Sequence, residues 1–243
     1  MATVKAKSRP VGKPKLTLKL KVAALTVNEA KAELKNAVLV FGQTVDAANT
    51  FYELFQNSRQ GSKGTSSHAE QDLLRAMLVF ACSGLDAVVK QLVEDSLPAV
   101  IEKEEGAQLQ FQKFVERRLK KGGDEKEKQL DAALLASLFA GKTPRNRLLD
   151  LLKRELTDDS LQSQDQLLKV AAYFAITRDQ VMAVPDSTKK AFAARNQIIH
   201  EMDVDLAGKK KRRQRAVQSM VGYCENILEI ARAFVATVDA KLT

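Results

Sequence analysis

Cysteine and histidine are scarce, two of each in 243 residues, and that scarcity excludes several chemistries. Cys82 and Cys224 stand far apart and neither belongs to a CxxC. Two thiols in a chain of this length read as small, reduced, buried residues of a cytosolic protein rather than as a disulfide framework. With His68 and His200 as the whole imidazole complement, no ligand spacing matches a structural zinc site, and neither a metal nor another cofactor is expected. No apolar run approaches membrane-spanning length, and the basic N-terminus lacks the hydrophobic segment of a signal peptide. The expectation is therefore a cytoplasmic protein. No glycine-rich phosphate loop, Ser-His-Asp order or carboxylate pair stands out.

Acidic residues are missing from the first 26 positions, where Lys5, Lys7, Arg9, Lys13, Lys15, Lys19 and Lys21 accompany Pro10 and Pro14. This segment reads as a mobile basic arm, either a phosphate contact or a solubilising tail. LTLKLKV (16–22) alternates like a strand, but one strand alone has nothing to pair with. The whole chain has a formal charge of +9 and a pI near 9.5, which favours a polyanionic partner and says nothing of chemistry.

Helical periodicity dominates the rest. Over 28–59, Leu34, Val38, Phe41, Val45, Ala48, Tyr52 and Phe55 step by four and three, one helical face held for three heptads. A glycine and serine loop, RQGSKGTSS, follows, and Ser67 with Glu70 has capping-box spacing for a second helix reaching about Leu97. Its inward residues are Leu74, Met77, Ala81, Leu85, Val88 and Leu92. His68, beside the cap, reads as a surface loop residue. Between 99 and 176 the pattern shortens: a helix over 99–121, then amphipathic pieces near 126–140, 144–156 and 161–176. Thr143 before Pro144 marks one start, an N-cap with proline at the first helical position. A helix capped by Asp186 or Ser187 follows, then the turn DVDLAG (203–208), then a last helix over 209–241 with Val217, Met220, Cys224, Ile227, Ala231, Phe234 and Val238 inward. The class is all-α, an antiparallel helical bundle with a helical insertion in the middle.

The candidate site lies in RNQIIHEM (195–202). At about 100° per residue, Arg195 and His200 leave a helix roughly 140° apart, whereas Asn196 and His200 share a face. The long Arg195 stem can bring its guanidinium round, or it can meet His200 of a second copy. Such a trio suits phosphoryl transfer on RNA without a metal. Imidazole exchanges a proton near neutrality with a ribose 2′-hydroxyl or the leaving oxygen. Arginine offers a permanent, planar positive fork to the phosphate, and Asn196 can hold either by hydrogen bonds.

The following run, Lys209, Lys210, Lys211, Arg212, Arg213 and Arg215, stands at the expected start of the last helix, where cations oppose the helix dipole. Residues that work against local stability often have another use, here guiding a nucleic-acid backbone toward Arg195 and His200. The plainer reading is a frayed, solvated helix start or a localisation-like patch.

RNQIIH resembles the Arg-x4-His motif, with Asn after Arg, of the HEPN superfamily (higher eukaryotes and prokaryotes nucleotide-binding domains), placed just before the last long helix. LRAMLVFACSGLDAVVKQLV (74–93) is similar to the early helix of that family, which turns a polar or acidic residue toward the site, with Asp86 and Ser83 the candidates. For Asp86 an ordinary surface pair with Lys90 is the alternative. The likeness covers 28–97 and 187–241 and leaves 99–176 unmatched. It implies a metal-independent endoribonuclease, often a toxin or antiviral defence component, with the site formed across a homodimer from Arg195, Asn196 and His200. The alternative is a non-catalytic bundle that binds nucleic acid or a partner protein, such as an antitoxin or a nucleotidyltransferase.

Overall fold

The structure, a computed structural model, describes residues 19–27, 31–61, 63–120, 144–161 and 163–243. Among these residues all regular structure is helical, apart from one isolated bridge between Val204 and Arg212. Four long helices set the frame: α1 (Ala32–Ser58), α2 (His68–Asp95), α8 (Pro185–Glu201) and α9 (Val217–Lys241). Among the described residues five shorter ones lie between α2 and α8, namely α3 (Leu97–Lys103), α4 (Glu105–Lys120), α5 (Pro144–Thr157), α6 (Gln164–Tyr173) and α7 (Arg178–Val181).

Helix direction follows from the ties between ends. The Ser96 hydroxyl, at the end of α2, donates to the Glu33 carbonyl at the start of α1 (2.6 Å), and Lys31 before α1 pairs with Asp239 near the end of α9 (2.7 Å). Gln71 in the first turn of α2 accepts from the Arg215 amide just before α9 (2.9 Å). Asn226 of α9 donates to the Thr188 hydroxyl in the first turn of α8 (2.9 Å). Each long helix therefore runs antiparallel to its neighbour in the bundle order, and α2 and α9 lie side by side in parallel. α2 packs on α1, α8 and α9, and its predicted inward residues, Leu74, Met77, Ala81, Leu85, Val88 and Leu92, are all fully buried.

That central position accounts for the composition of α2. Its length and hydropathy alone would let it cross a membrane, which corrects the expectation that no apolar run comes near that length. The apolar surface packs against three neighbouring helices instead.

The Ser67–Glu70 capping box forms at the start of α2, with the Glu70 amide donating to Ser67 Oγ and the Ser67 amide to Glu70 Oε2. His68 is the first residue of α2 rather than part of the loop. α8 opens on Pro185 after Val184 and has no side-chain cap, so Asp186 and Ser187 lie inside the helix. Proline has no N–H to cap and its fixed φ suits the first turn. Pro144 likewise opens α5, while Thr143 and the 126–140 piece lie outside the described residues. The middle helices join the common core through Leu149, Leu152, Leu156, Leu167 and Phe174, whose ring meets Phe234 of α9 edge-on at 5.7 Å.

Two further expectations meet the structure here. Residues 1–18 of the basic arm lie outside the described residues, whereas 19–27 rest against the bundle through Leu20, Val22, Leu25 and Val27. The Leu20 amide donates to Asn49 of α1 (3.0 Å), the Lys21 amide to Glu225 of α9 (2.7 Å), and the Leu20 side chain is buried. This stretch pairs with no strand: helix side chains take the Leu20 and Lys21 amides, and the Val22 amide donates to the Leu20 carbonyl (3.2 Å). The last helix begins at Val217, not near 209. Residues 209–216 are held by contacts with the 203–205 turn, and like-charged residues at a helix N-terminus add no reason to wind it further back.

Candidate functional site

α8 turns Thr188, Ala191, Phe192 and Ala194 inward, while Lys189, Ala193 and His200 are exposed and Asn196 is half-buried. The outward stripe therefore reads Lys189, Ala193, Asn196, His200 at spacings of four, three and four. The helix stops at Met202 and Asp203, both left-handed (φ 51° and 58°), the conformation that ends many helices.

Arg195 sits at the edge of the buried face, half-exposed. Nη1 donates to Asn196 Oδ1 at 2.9 Å, on the side that His200 shares. Its Nε is buried without an acceptor. Arg195 also lies close enough to Cys82 of α2 for its charge to act on the thiol, although burial wins and pushes Cys82 up to about 12. Burial likewise raises Cys224, and both thiols are free. The His200 imidazole makes no hydrogen bond or ion pair among the described residues and faces solvent.

Asp86 has local partners. One carboxylate oxygen accepts from the Leu161 amide (2.8 Å) and the other pairs with Lys90 (3.2 Å), so it ties the loop before α6 to α2. It shares no hydrogen bond or ion pair with Arg195, Asn196 or His200. Ser83 is exposed one turn earlier.

The basic run divides in two. Lys209, Lys210 and Lys211 are exposed at the tip of the turn and form no ion pair among the described residues. Arg212, Arg213 and Arg215 point back into the protein. Arg212 pairs with Asp72, and Arg213 donates to Glu201 (3.0 Å) and to the Val204 carbonyl (2.7 Å). Arg215 reaches Asp203 (2.6 Å) and Gln197 (2.8 Å). Asp203 is fully buried and also accepts from the buried Arg75 of α2 (2.7 Å). Burial alone would push this carboxyl up, but hydrogen bonds and charge from Arg215 and Arg75 outweigh it and hold Asp203 below the ordinary range.

Sequence reasoning missed this hub. Its one local signal is Arg75, placed between the inward Leu74 and Met77 on an apolar helix. Asp203, 128 residues away, gave none. Beside the hub, an open groove of about 380 Å³ is lined by Arg59, Thr65, Ser66, Gln214, Arg215 and Val217. Through Arg215 it adjoins Gln197 of α8.

No family model matches the chain, and no curated protein or solved structure is similar enough to count as a match.

Proposed function

We propose that the protein is an endoribonuclease resembling the HEPN type, with its cutting centre on the outer face of α8. The observation that supports this is the Arg195–Asn196 contact at 2.9 Å. It ties the guanidinium to the side chain that shares a helix face with His200, and in this reading one phosphodiester meets both the cation and the imidazole. In this reading His200 exchanges protons with the 2′-hydroxyl and the leaving 5′-oxygen, and Arg195 neutralises charge building on the phosphate. Attack by the 2′-oxygen on phosphorus forms one P–O bond as the P–O5′ bond breaks, leaving a 2′,3′-cyclic phosphate and a 5′-hydroxyl. Asn196 positions the guanidinium. A second copy is the proposed partner, since Ile199, Met202 and Leu206 are exposed beside His200.

The test is incubation of the purified protein with single-stranded RNA in excess chelator. The expected products are a cyclic phosphate and a 5′-hydroxyl, lost in His200→Ala and strongly reduced in Arg195→Ala. Intact RNA, or equal cutting by His200→Ala, rejects the reading.

A second reading, a bundle that binds nucleic acid without cutting, is favoured by one observation. Among the described residues His200 has no hydrogen-bonded neighbour to fix its ring, whereas histidines acting as bases are commonly oriented by a third group. It predicts RNA binding that His200→Ala leaves intact, with no products.

A further inference from the structure

The outward stripe of α8 extends well beyond the three residues of the proposed centre. Lys189 lies eleven residues before His200, nearly in line with it on the helix and ~16 Å away along the axis. Both are exposed, and the stripe between them carries Ala193, small and exposed, and the half-buried Asn196 that holds the Arg195 guanidinium. Beyond His200 the chain leaves the helix, and its turn presents the exposed Lys209, Lys210 and Lys211. The cations of this surface fall into two kinds. Arg212, Arg213 and Arg215 are each bound by an acidic side chain, whereas Lys189, Lys209, Lys210 and Lys211 have no ion pair among the described residues. Unpaired cations thus stand on α8 before His200 and on the turn that follows the helix. Nearby carboxylates are Asp186, one turn before Lys189 and Lys190, Glu201, which is already engaged by Arg213, and Asp205, which accepts from the Lys209 amide (3.2 Å) and pairs with Arg213 (3.8 Å).

We propose that a single-stranded RNA lies along α8, with Lys189 gripping a phosphate on one side of His200 and the Lys209–Lys211 tip gripping the strand on the other. This rests on the reading of His200 as the cutting residue. At ~16 Å from His200, Lys189 is too far to touch the cleaved phosphate, so it is a substrate-binding residue for a neighbouring nucleotide. The contact is with the backbone and carries no base preference.

Binding of a fluorescent single strand with 2′-O-methyl riboses, which cannot be cut, tests it through affinity over a salt series. Lys189→Ala is expected to bind several-fold more weakly, with the slope of log affinity against log salt shallower by about 0.7, the value for one lost phosphate contact on a single strand. Lys189→Arg restores both, and Lys113→Ala, an exposed lysine on α4, leaves them unchanged. Lys189→Ala behaving like wild type overturns the track, as does an equal loss in Lys113→Ala or no binding by any form. His200-dependent cutting that is indifferent to Lys189 removes the track alone. Binding through Lys189 without any cutting keeps the track and removes the nuclease reading.

Discussion

Arg75 donates through Nε to Asp203 Oδ2 at 2.7 Å, and both side chains are buried. The pair joins α2 to the turn after α8, and Arg215 on the opposite side of the same carboxylate ties in the approach to α9 (2.6 Å). Three elements that end or begin near the proposed centre thus meet on one acidic group. Arg75 Nη2 also donates to the Arg213 carbonyl (2.6 Å), and the Arg213 amide donates to the Asp203 carbonyl (2.8 Å). The turn that displays the three lysines is fixed from beneath.

Asp203→Asn is expected to cost about 3–5 kcal/mol at neutral pH, because it removes the buried carboxylate charge shared by Arg75 and Arg215 and leaves Asp72 as the remaining ion-pair partner of Arg75. The pH dependence has a definite sign. A carboxyl held low in the folded state stabilises the fold fully above its unfolded value near 3.9, and that stabilisation is lost as pH falls through the lower folded value. Urea melts at pH 7 and pH 3 should therefore show the wild type and variant far apart at pH 7 and closer together at pH 3. A constant gap would mean Asp203 does not titrate with folding.

The two halves of the basic run should separate in a simple comparison. Changing Lys209, Lys210 and Lys211 together to Ala should leave stability within about 0.5 kcal/mol and weaken RNA binding. Arg213→Ala removes hydrogen bonds to Glu201 and the Val204 carbonyl and should cost about 2 kcal/mol. Thermal melts beside a binding titration distinguish the two, and a stable Arg213→Ala would show that the network is dispensable.

Gly84 marks a close approach of α1 and α2. A Cβ placed there would lie 2.7 Å from Thr44 Cβ, with the Thr44 hydroxyl and methyl nearer still. Gly84→Ala should thus destabilise by about 1–3 kcal/mol through overpacking, against the gain of about 1 kcal/mol that alanine normally brings to a helix. Adding Thr44→Ala removes the two nearest atoms and should recover part of the loss, read as a rise in denaturation midpoint of the double variant over the single one.

Neither cysteine should react in the folded protein. Both are buried, Cys82 with its thiol pushed up to about 12 and Cys224 also raised, and only thiolate attacks a disulfide reagent. Titration with such a reagent should detect no thiol under native conditions and two in denaturant, and fast native labelling would contradict the packing of α2 against α9.

By itself the sequence determined the helices and their buried faces, because a three-and-four spacing is a short-range signal written into each segment. Leu74 to Leu92 on α2 and Met220 to Val238 on α9 are buried as their spacing required, and Ser67 with Glu70 encoded its own cap. The candidate trio was legible for the same reason, since Arg195, Asn196 and His200 lie within six residues. Only the tertiary structure decided which cations of 209–215 face solvent, where α9 starts, and that residues 19–27 are docked. Those outcomes depend on carboxylates and amides supplied from far along the chain, Asp72 for Arg212, Asp203 for Arg75, Asn49 and Glu225 for Leu20 and Lys21. An ion pair across more than a hundred residues leaves no periodicity, and it exists only once hydrophobic packing has brought its two ends together.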